Sequence, residues 1–296
     1  MDVDRVTLRL LLAEAAGDRL RTGVTVTGVV HDAGGLPTVL LSDGTSETGD
    51  LVVGADGTHS VVARHLAGGP TNRPAGIIGF SGRTASDDLS LAERTRLGRR
   101  SGMAMGPHGA ALYVGFLDPE GNAVIDAARL RSSVTTCPTY IWGAMVPENE
   151  QSAGLRRLGG TELRDALLDR FTRRGWRPGT LEVVARADPA SLGAFRFNAA
   201  STSAHQLAPW PAGTVTALGD AVHATPPTAG MGAGAAVLRV RGAELLTLAM
   251  GTVRWILATD SRLGAGATAA VLPALAAVHR IRRAGRRPRA LAPRSR

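Results

Sequence analysis

The sequence predicts an α/β fold, a strand-and-helix layer interrupted by a β-rich insertion. Three observations carry this expectation. Asp50–Val53 and Val215–Leu218 are short apolar stretches, and each runs into an acid beside glycine, Gly54-Ala55-Asp56-Gly57 in one case and Gly219-Asp220 in the other. Helix-forming sequence follows each, and ligands of open α/β sheets bind outside the carboxyl ends of strands. Between the two, the texture changes to short β-like pieces divided by turns.

Taken in order, Asp4–Ala16 sets Val6, Leu8, Leu11, Leu12 and Ala15 near helical spacing, with Asp4 as a cap. Val24–Val30 is β-branched and strand-like, and Ala33-Gly34-Gly35 turns it into a second strand, Leu36–Leu41. Ser42-Asp43-Gly44 turns again before Asp50–Val53. Ser60–Leu66 reads as a helix capped by Thr58 or Ser60. Gly68–Pro74 is rich in Gly and Pro and marks a boundary.

Beyond it, Ile77–Arg83, Ala110–Phe116 and Tyr140–Val146 read as strands, and Asp87–Arg100 as a charged segment. Thr161–Arg173 reads as a helix capped by Thr161, apolar at Leu163, Ala166, Leu167 and Phe171. Glu182–Arg186 and Ala194–Asn198 read as strands returning to the first layer. After Val215–Leu218 and a loop at Pro226-Pro227, Gly230-Met231-Gly232 opens a long helix reaching about Met250. A last helix, Ala267–Ile281, is started or kinked by Pro273. The expected domains are 1–72 and 191–280, two segments of one layer, with 73–190 inserted and 281–296 a disordered tail.

The chain of 296 residues is long enough to bury a substantial core. Its net charge of +9 misleads, because eight Arg between Arg280 and Arg296 account for all but one unit of it. Every basic residue is Arg, and aromatics make up only 4%. That scarcity argues against stacking on bases, so the tail reads as a solvated terminus and no nucleic-acid partner is expected. Cys137 is the single cysteine, which excludes a disulfide framework; it reads as a small buried residue. No apolar run reaches the ~18 residues of a membrane span, and the acidic start is unlike a signal peptide, so a cytoplasmic location is expected.

Asp56-Gly57 alone is ordinary turn chemistry. Paired with Gly219-Asp220 it says more. LVVGADGTHSVVARHL (51–66) resembles the DG motif, and ALGDAVHATPPTAGMGAG (217–234) the GD motif, of flavin-dependent aromatic hydroxylases of the p-hydroxybenzoate hydroxylase type. The resemblance covers most of 5–250, strongly at these motifs and loosely across the insertion. It implies an incomplete FAD/NAD(P)-binding Rossmann-like layer interrupted by a β-rich α+β substrate domain. It also implies FAD as cofactor, NADPH or NADH as electron donor, and a small aromatic or polyketide-like substrate hydroxylated with O2.

On this resemblance, Gly219 and Asp220 hold the ribose or ribityl hydroxyls, and Pro226 lies along the flavin. Backbone N–H groups at Gly230, Met231 and Gly232 face its pyrimidine edge. A helix terminus favours negative charge there by roughly 0.3–1 kcal/mol. Asp56 and Gly57 hold the fold around the flavin. No catalytic side chain is expected, since the flavin activates oxygen, and no metal. His223 reads as a structural hydrogen-bonding residue.

Several features depart from the family pattern. The family begins with a strand, a G-x-G-x-x-G turn and a helix that cradle the pyrophosphate; here no such unit is found, and the chain is expected to be N-terminally incomplete. Gly230–Ala235 fits G-x-G-x-x-A but follows a Pro loop instead of a strand, and Gly264–Ala269 is worse placed. Gly234 stands where the family has Asn, Leu238-Arg239-Val240 where it has an Asp, and Ala63 where it has Arg. The alternative is a non-catalytic remnant or binding protein that keeps the fold, and weak FAD binding is expected of the isolated chain.

Overall fold

The computed structural model describes residues 5–118, 137–229 and 239–284. The first layer opens with helix α1 (Arg5–Ala16) and an antiparallel meander of β1 (Val26–His31), β2 (Pro37–Leu41) and β3 (Ser46–Thr48). The next strand, β4 (Val52–Gly54), does not extend the meander. It pairs in parallel with β10 (Val215–Ala217), in the register Val52↔Val215, Val53↔Thr216 and Gly54↔Ala217. Both strands therefore end at the same edge.

Helix α2 (Val61–Ala67) follows β4 and is fixed by local chemistry. The Ser60 hydroxyl accepts from the Ala63 N–H (2.8 Å) and donates to Asp56 Oδ1 (2.5 Å), while Asp56 Oδ2 accepts from the Val61 N–H (2.7 Å). The helix stops at Gly68, whose φ of 68° suits a left-handed C-terminal cap. It lies directly on β4: a Cβ at Gly54 would stand 2.4 Å from Val62 Cβ. Val29, Val62 and Val215 make the small buried core of this layer.

A second, five-stranded antiparallel sheet has the order β6-β7-β8-β5-β9, so Ala194–Asn198, expected to return to the first layer, is instead an edge strand of this sheet. Its strands are β5 (Asn72–Ala85), β6 (Gly102–Met105), β7 (Ala111–Leu117), β8 (Thr139–Pro147) and β9 (Gly193–Ala200). Strand alternation gives it two distinct faces. On one face, Ile78, Phe80 and Trp142 pack against Leu163, Leu167 and Phe171 of α5 (Gly160–Arg173) and Leu181 of α6 (Pro178–Ala185). On the other, Ile77, Met145 and Phe197 pack against Leu246, Val253 and Ile256 of α8 (Arg239–Ala258).

The remaining helices are α3 (Leu91–Leu97), α4 (Glu150–Leu155), α7 (Asp220–His223) and α9 (Arg262–Ala284). Burial pushes the phenol of Tyr140 above its ordinary range, and its hydroxyl donates to the Gly98 carbonyl at 3.0 Å, a structural role.

Several local expectations need correction. Glu182–Arg186 is not a strand: Pro178 sits in the first turn of α6, and Leu181, Val183 and Val184 are buried in helical form. Burial beside α5 overrides the β preference of two adjacent valines. Helix α5 starts one residue early, at an N-cap Gly159 without a side-chain cap, so Thr161 does not serve. The charged segment contains α3, closed by a capping box in which Ser90 and Glu93 satisfy each other's N–H. Helix α9 runs through Pro273, and Cys137 is exposed at the entry to β8. The expected opening of the long helix at 230–238 and the tail beyond 284 lie outside the described residues.

Replacing Gly54 by Ala forces α2 away from β4. A loss of about 1–3 kcal/mol is expected, visible as a lower urea midpoint with unchanged slope.

Candidate functional site

Parallel pairing of β4 with β10 brings the two acid-bearing turns together, and α7 packs against the single turn Gly57–His59 that follows Asp56. The Thr71 hydroxyl adds a tie, donating to the Ala221 carbonyl at 3.1 Å. The two acids nevertheless differ in what they do. Asp56 spends both carboxylate oxygens on Ser60 and Val61, at the start of α2. Asp220 is exposed and has no hydrogen-bond partner among the described residues.

Gly219 sets this up with φ 63° and ψ −144°, a combination essentially confined to glycine. Its carbonyl accepts from the N–H groups of Val222 and His223, both at 3.0 Å, which turns the chain sharply and leaves the Asp220 carboxylate facing out.

His223 differs from its expected role. It is buried against Gly242 of α8 and Leu207, and neither ring nitrogen has a partner among the described residues. Here it fills space. Pro226 is buried, and the loop around it is pinned at two points. The Ala200 N–H donates to the Ala224 carbonyl (2.9 Å), and the Thr228 hydroxyl donates to the Ala249 carbonyl of α8 (3.0 Å). Gly230, Met231 and Gly232 lie outside the described residues.

The pinned loop closes one side of a cavity of about 800 Å³ over the five-stranded sheet. Pro227 and Thr228 line it from the loop, and Ser81, Arg83, Met103, Tyr113, Ile141, Gly143, Met145, Ser191, Phe195 and Phe197 from the sheet side. Phe195 and Phe197 stack with ring centroids 5.5 Å apart, over Gly79, where a Cβ would stand 2.3 Å from the Phe197 ring. The Ser191 hydroxyl is engaged, donating to the Asp188 carbonyl and accepting from the Arg83 N–H. The hydroxyls of Ser81 and Tyr113 have no partner among the described residues.

Sequence reasoning found the loop and missed this floor. The alternating Phe195 and Phe197 were the available signal, but Ser81, Tyr113 and Gly143 come together only through strand pairing. A smaller cavity of about 220 Å³ beside the other turn is lined by His59, Arg64, Asn72, Arg196 and Asn198; Arg196 is held by Glu148 at 2.5 Å. Among the described residues no helix is long and apolar enough to cross a membrane.

The chain is similar in sequence to the FAD-dependent urate hydroxylase of Mycolicibacterium vanbaalenii, 27% identical over 234 residues, covering 78% of this chain and 50% of that protein. It is also similar to the chloroplastic zeaxanthin epoxidase of Nicotiana plumbaginifolia, 28% identical over 233 residues, covering 78% of this chain and 30% of that protein. The chain thus spans about half the length of the hydroxylase it matches. In fold it resembles Klebsiella pneumoniae HpxO complexed with FAD and uric acid, with a TM-score of 0.60 and 21% identity over 88% of this chain and 64% of that one. The model of the FAD binding domain family matches residues 5–240, most of the chain. This chain belongs to the FAD binding domain family.

Proposed function

We propose that this chain holds FAD in a monooxygenase that hydroxylates a small aromatic or polyketide-like substrate with NAD(P)H and O2. The observation that carries the reading is the loop from Gly219 to Thr228. It presents an unpartnered carboxylate at one end and lines the large cavity at the other.

The residues present fit part of the cofactor. Asp220, exposed and without a partner among the described residues, is proposed to accept from ribose or ribityl hydroxyls, bonds that a carboxylate accepts well. Pro226 and the pinned loop after it offer a firm edge for the ring, with Gly230, Met231 and Gly232 proposed to supply N–H groups to its pyrimidine side. Asp56 and Gly57 act at one remove, by holding the neighbouring turn against α7. Among the described residues no strand–G-x-G-x-x-G–helix turn serves the pyrophosphate, so the fit covers the sugar chain and ring.

When bound, FAD supplies the redox and oxygen-activating chemistry, which the protein orients and shields. The cavity does the rest. It holds the substrate beside the loop, and its rings and methionines exclude water. The names of the two sequence relatives, a urate hydroxylase and a zeaxanthin epoxidase, support oxygen insertion as the reaction type.

A second reading, a binding protein without turnover, is favoured by Gly234 and Ala63, which stand where the resembled family carries Asn and Arg. Substrate-stimulated NAD(P)H oxidation by the FAD-loaded chain supports the first reading; flavin retention with no oxidation under any aromatic substrate supports the second.

The two acids separate cofactor contact from folding. Asp220→Ala is expected to weaken FAD binding about tenfold or more, the loss of a charge-assisted hydrogen bond of ~1.5–3 kcal/mol. Its unfolding free energy should stay within about 0.5 kcal/mol of the parent. Flavin titration by fluorescence quenching checks the first, and unchanged affinity rejects the role given to Asp220. Asp56→Ala is expected to lose about 1–2 kcal/mol of stability through the lost bonds to the Ser60 hydroxyl and the Val61 N–H at the start of α2, read from the urea midpoint without added flavin.

A further inference from the structure

The floor of the large cavity has a feature that composition does not convey. Gly115 of β7, Gly143 of β8 and Gly79 of β5 run diagonally across three adjacent strands, on one face of the sheet. Two of them are covered. The Phe195 and Phe197 rings lie over Gly79, and the Tyr113 side chain lies over Gly115, where a Cβ would meet its hydroxyl at 2.9 Å. Gly143, between them, is bare. Among the described residues a Cβ there would meet nothing closer than a backbone oxygen at 3.9 Å, and the backbone is not left-handed, so a larger residue is conformationally allowed.

Gly143 is paired directly with Tyr113 on one side and Ser81 on the other. Directly opposed residues on a sheet share a face. The result is a flat trough with an aromatic wall at Phe195, which is 40% exposed, and a hydroxyl on each flank. Its volume of about 800 Å³ lies toward the upper end of the ~300–1,000 Å³ typical of ligand pockets.

We propose that this trough selects planar ligands of two or three fused aromatic rings bearing oxygen at their edges, and that Gly143 is the position that determines ring number. This rests on the reading of the cavity as the substrate chamber. A flat ring system lies on the bare strand at Gly143, stacks its edge against Phe195, and hydrogen-bonds through its oxygens to Ser81 and Tyr113. A single ring leaves most of the trough wet. A side chain at Gly143 would occupy the place of the second ring without disturbing the two flanks.

The test is calorimetric titration of the full chain with alizarin, three fused rings with oxygens at their edges, and with salicylate, one ring. The parent is expected to bind alizarin about tenfold or more tightly than salicylate, from the larger apolar area buried. Gly143→Phe is expected to cut alizarin affinity about tenfold while salicylate changes less than about threefold. Gly143→Val should show the same split more weakly and serves if the Phe variant melts early.

Equal affinity for the two ligands, no binding by the folded parent, or loss of both ligands alike in a folded Gly143 variant overturns the proposal. FAD retention is read on the same preparations. Flavin bound without ring selectivity rejects the trough and keeps the cofactor reading, whereas ring selectivity without flavin rejects the cofactor reading alone.

Discussion

The parallel pairing of β4 with β10 is the constraint on which the rest depends. It joins the beginning of the chain to a segment beyond the insertion, and it spans only three residue pairs. Hydrogen bonding alone cannot hold it, since each net bond contributes only ~0.5–1.5 kcal/mol. Two further bonds extend it, from the Val52 N–H to the Thr214 carbonyl and from the Leu218 N–H to the Gly54 carbonyl, both 2.9 Å. The burial of Val62 and Val215 beneath α2 is worth more, roughly 1.5–3 kcal/mol for each side chain. Gly54 permits that burial because it lets α2 touch the strand. The capped start of α2 then fixes Asp56, and Asp56 fixes the turn against which α7 rests.

The second constraint is the two-faced sheet. One face is sealed by α5 and α6, which leaves the other to carry both α8 and the cavity. Helix α8 covers the end of this face near Ile77, and the loop before it covers the side near Thr228. The same helix therefore packs on the sheet beside the cavity and anchors the loop, through the bond from Thr228 to Ala249. The loop from Gly219 to Thr228 and the sheet that floors the cavity are thus held by one element. Their relative position is set by packing between buried side chains, with no need for a hinge.

Legibility in the sequence followed the range of the interactions. The two strand ends and α2 were readable because acid, glycine and capping serine act within a few residues of one another. The span from Pro178 to Ala185 was misread because Val183 and Val184 prefer strands in isolation, and only their burial beside α5 settles the matter. His223 was read as a hydrogen-bonding group because its type suggests one, while its surroundings of Leu207 and Gly242 are supplied from elsewhere in the chain. The cavity floor was invisible for a stronger reason. Tyr113, Gly143 and Ser81 are consecutive across the sheet and distant along the chain, so the register that makes them neighbours is a property of the fold.

Glycine shows how far residue type falls short of role. At Gly54 the missing side chain is replaced by Val62, and at Gly79 by two phenyl rings. At Gly219 the requirement is conformational, since φ of 63° with ψ of −144° excludes a side chain whatever the space. At Gly143 neither condition holds: among the described residues the space is open, and the backbone is ordinary. Packing gives glycine no advantage there, and its conformational entropy works against a strand interior. What the position does provide is a level surface between two hydroxyl-bearing neighbours, inside the cavity that Pro227 and Thr228 help to line. A glycine that costs stability and leaves space unfilled has no account in packing, and the proposed ring system would supply one, with the middle of β8 kept level by what binds there.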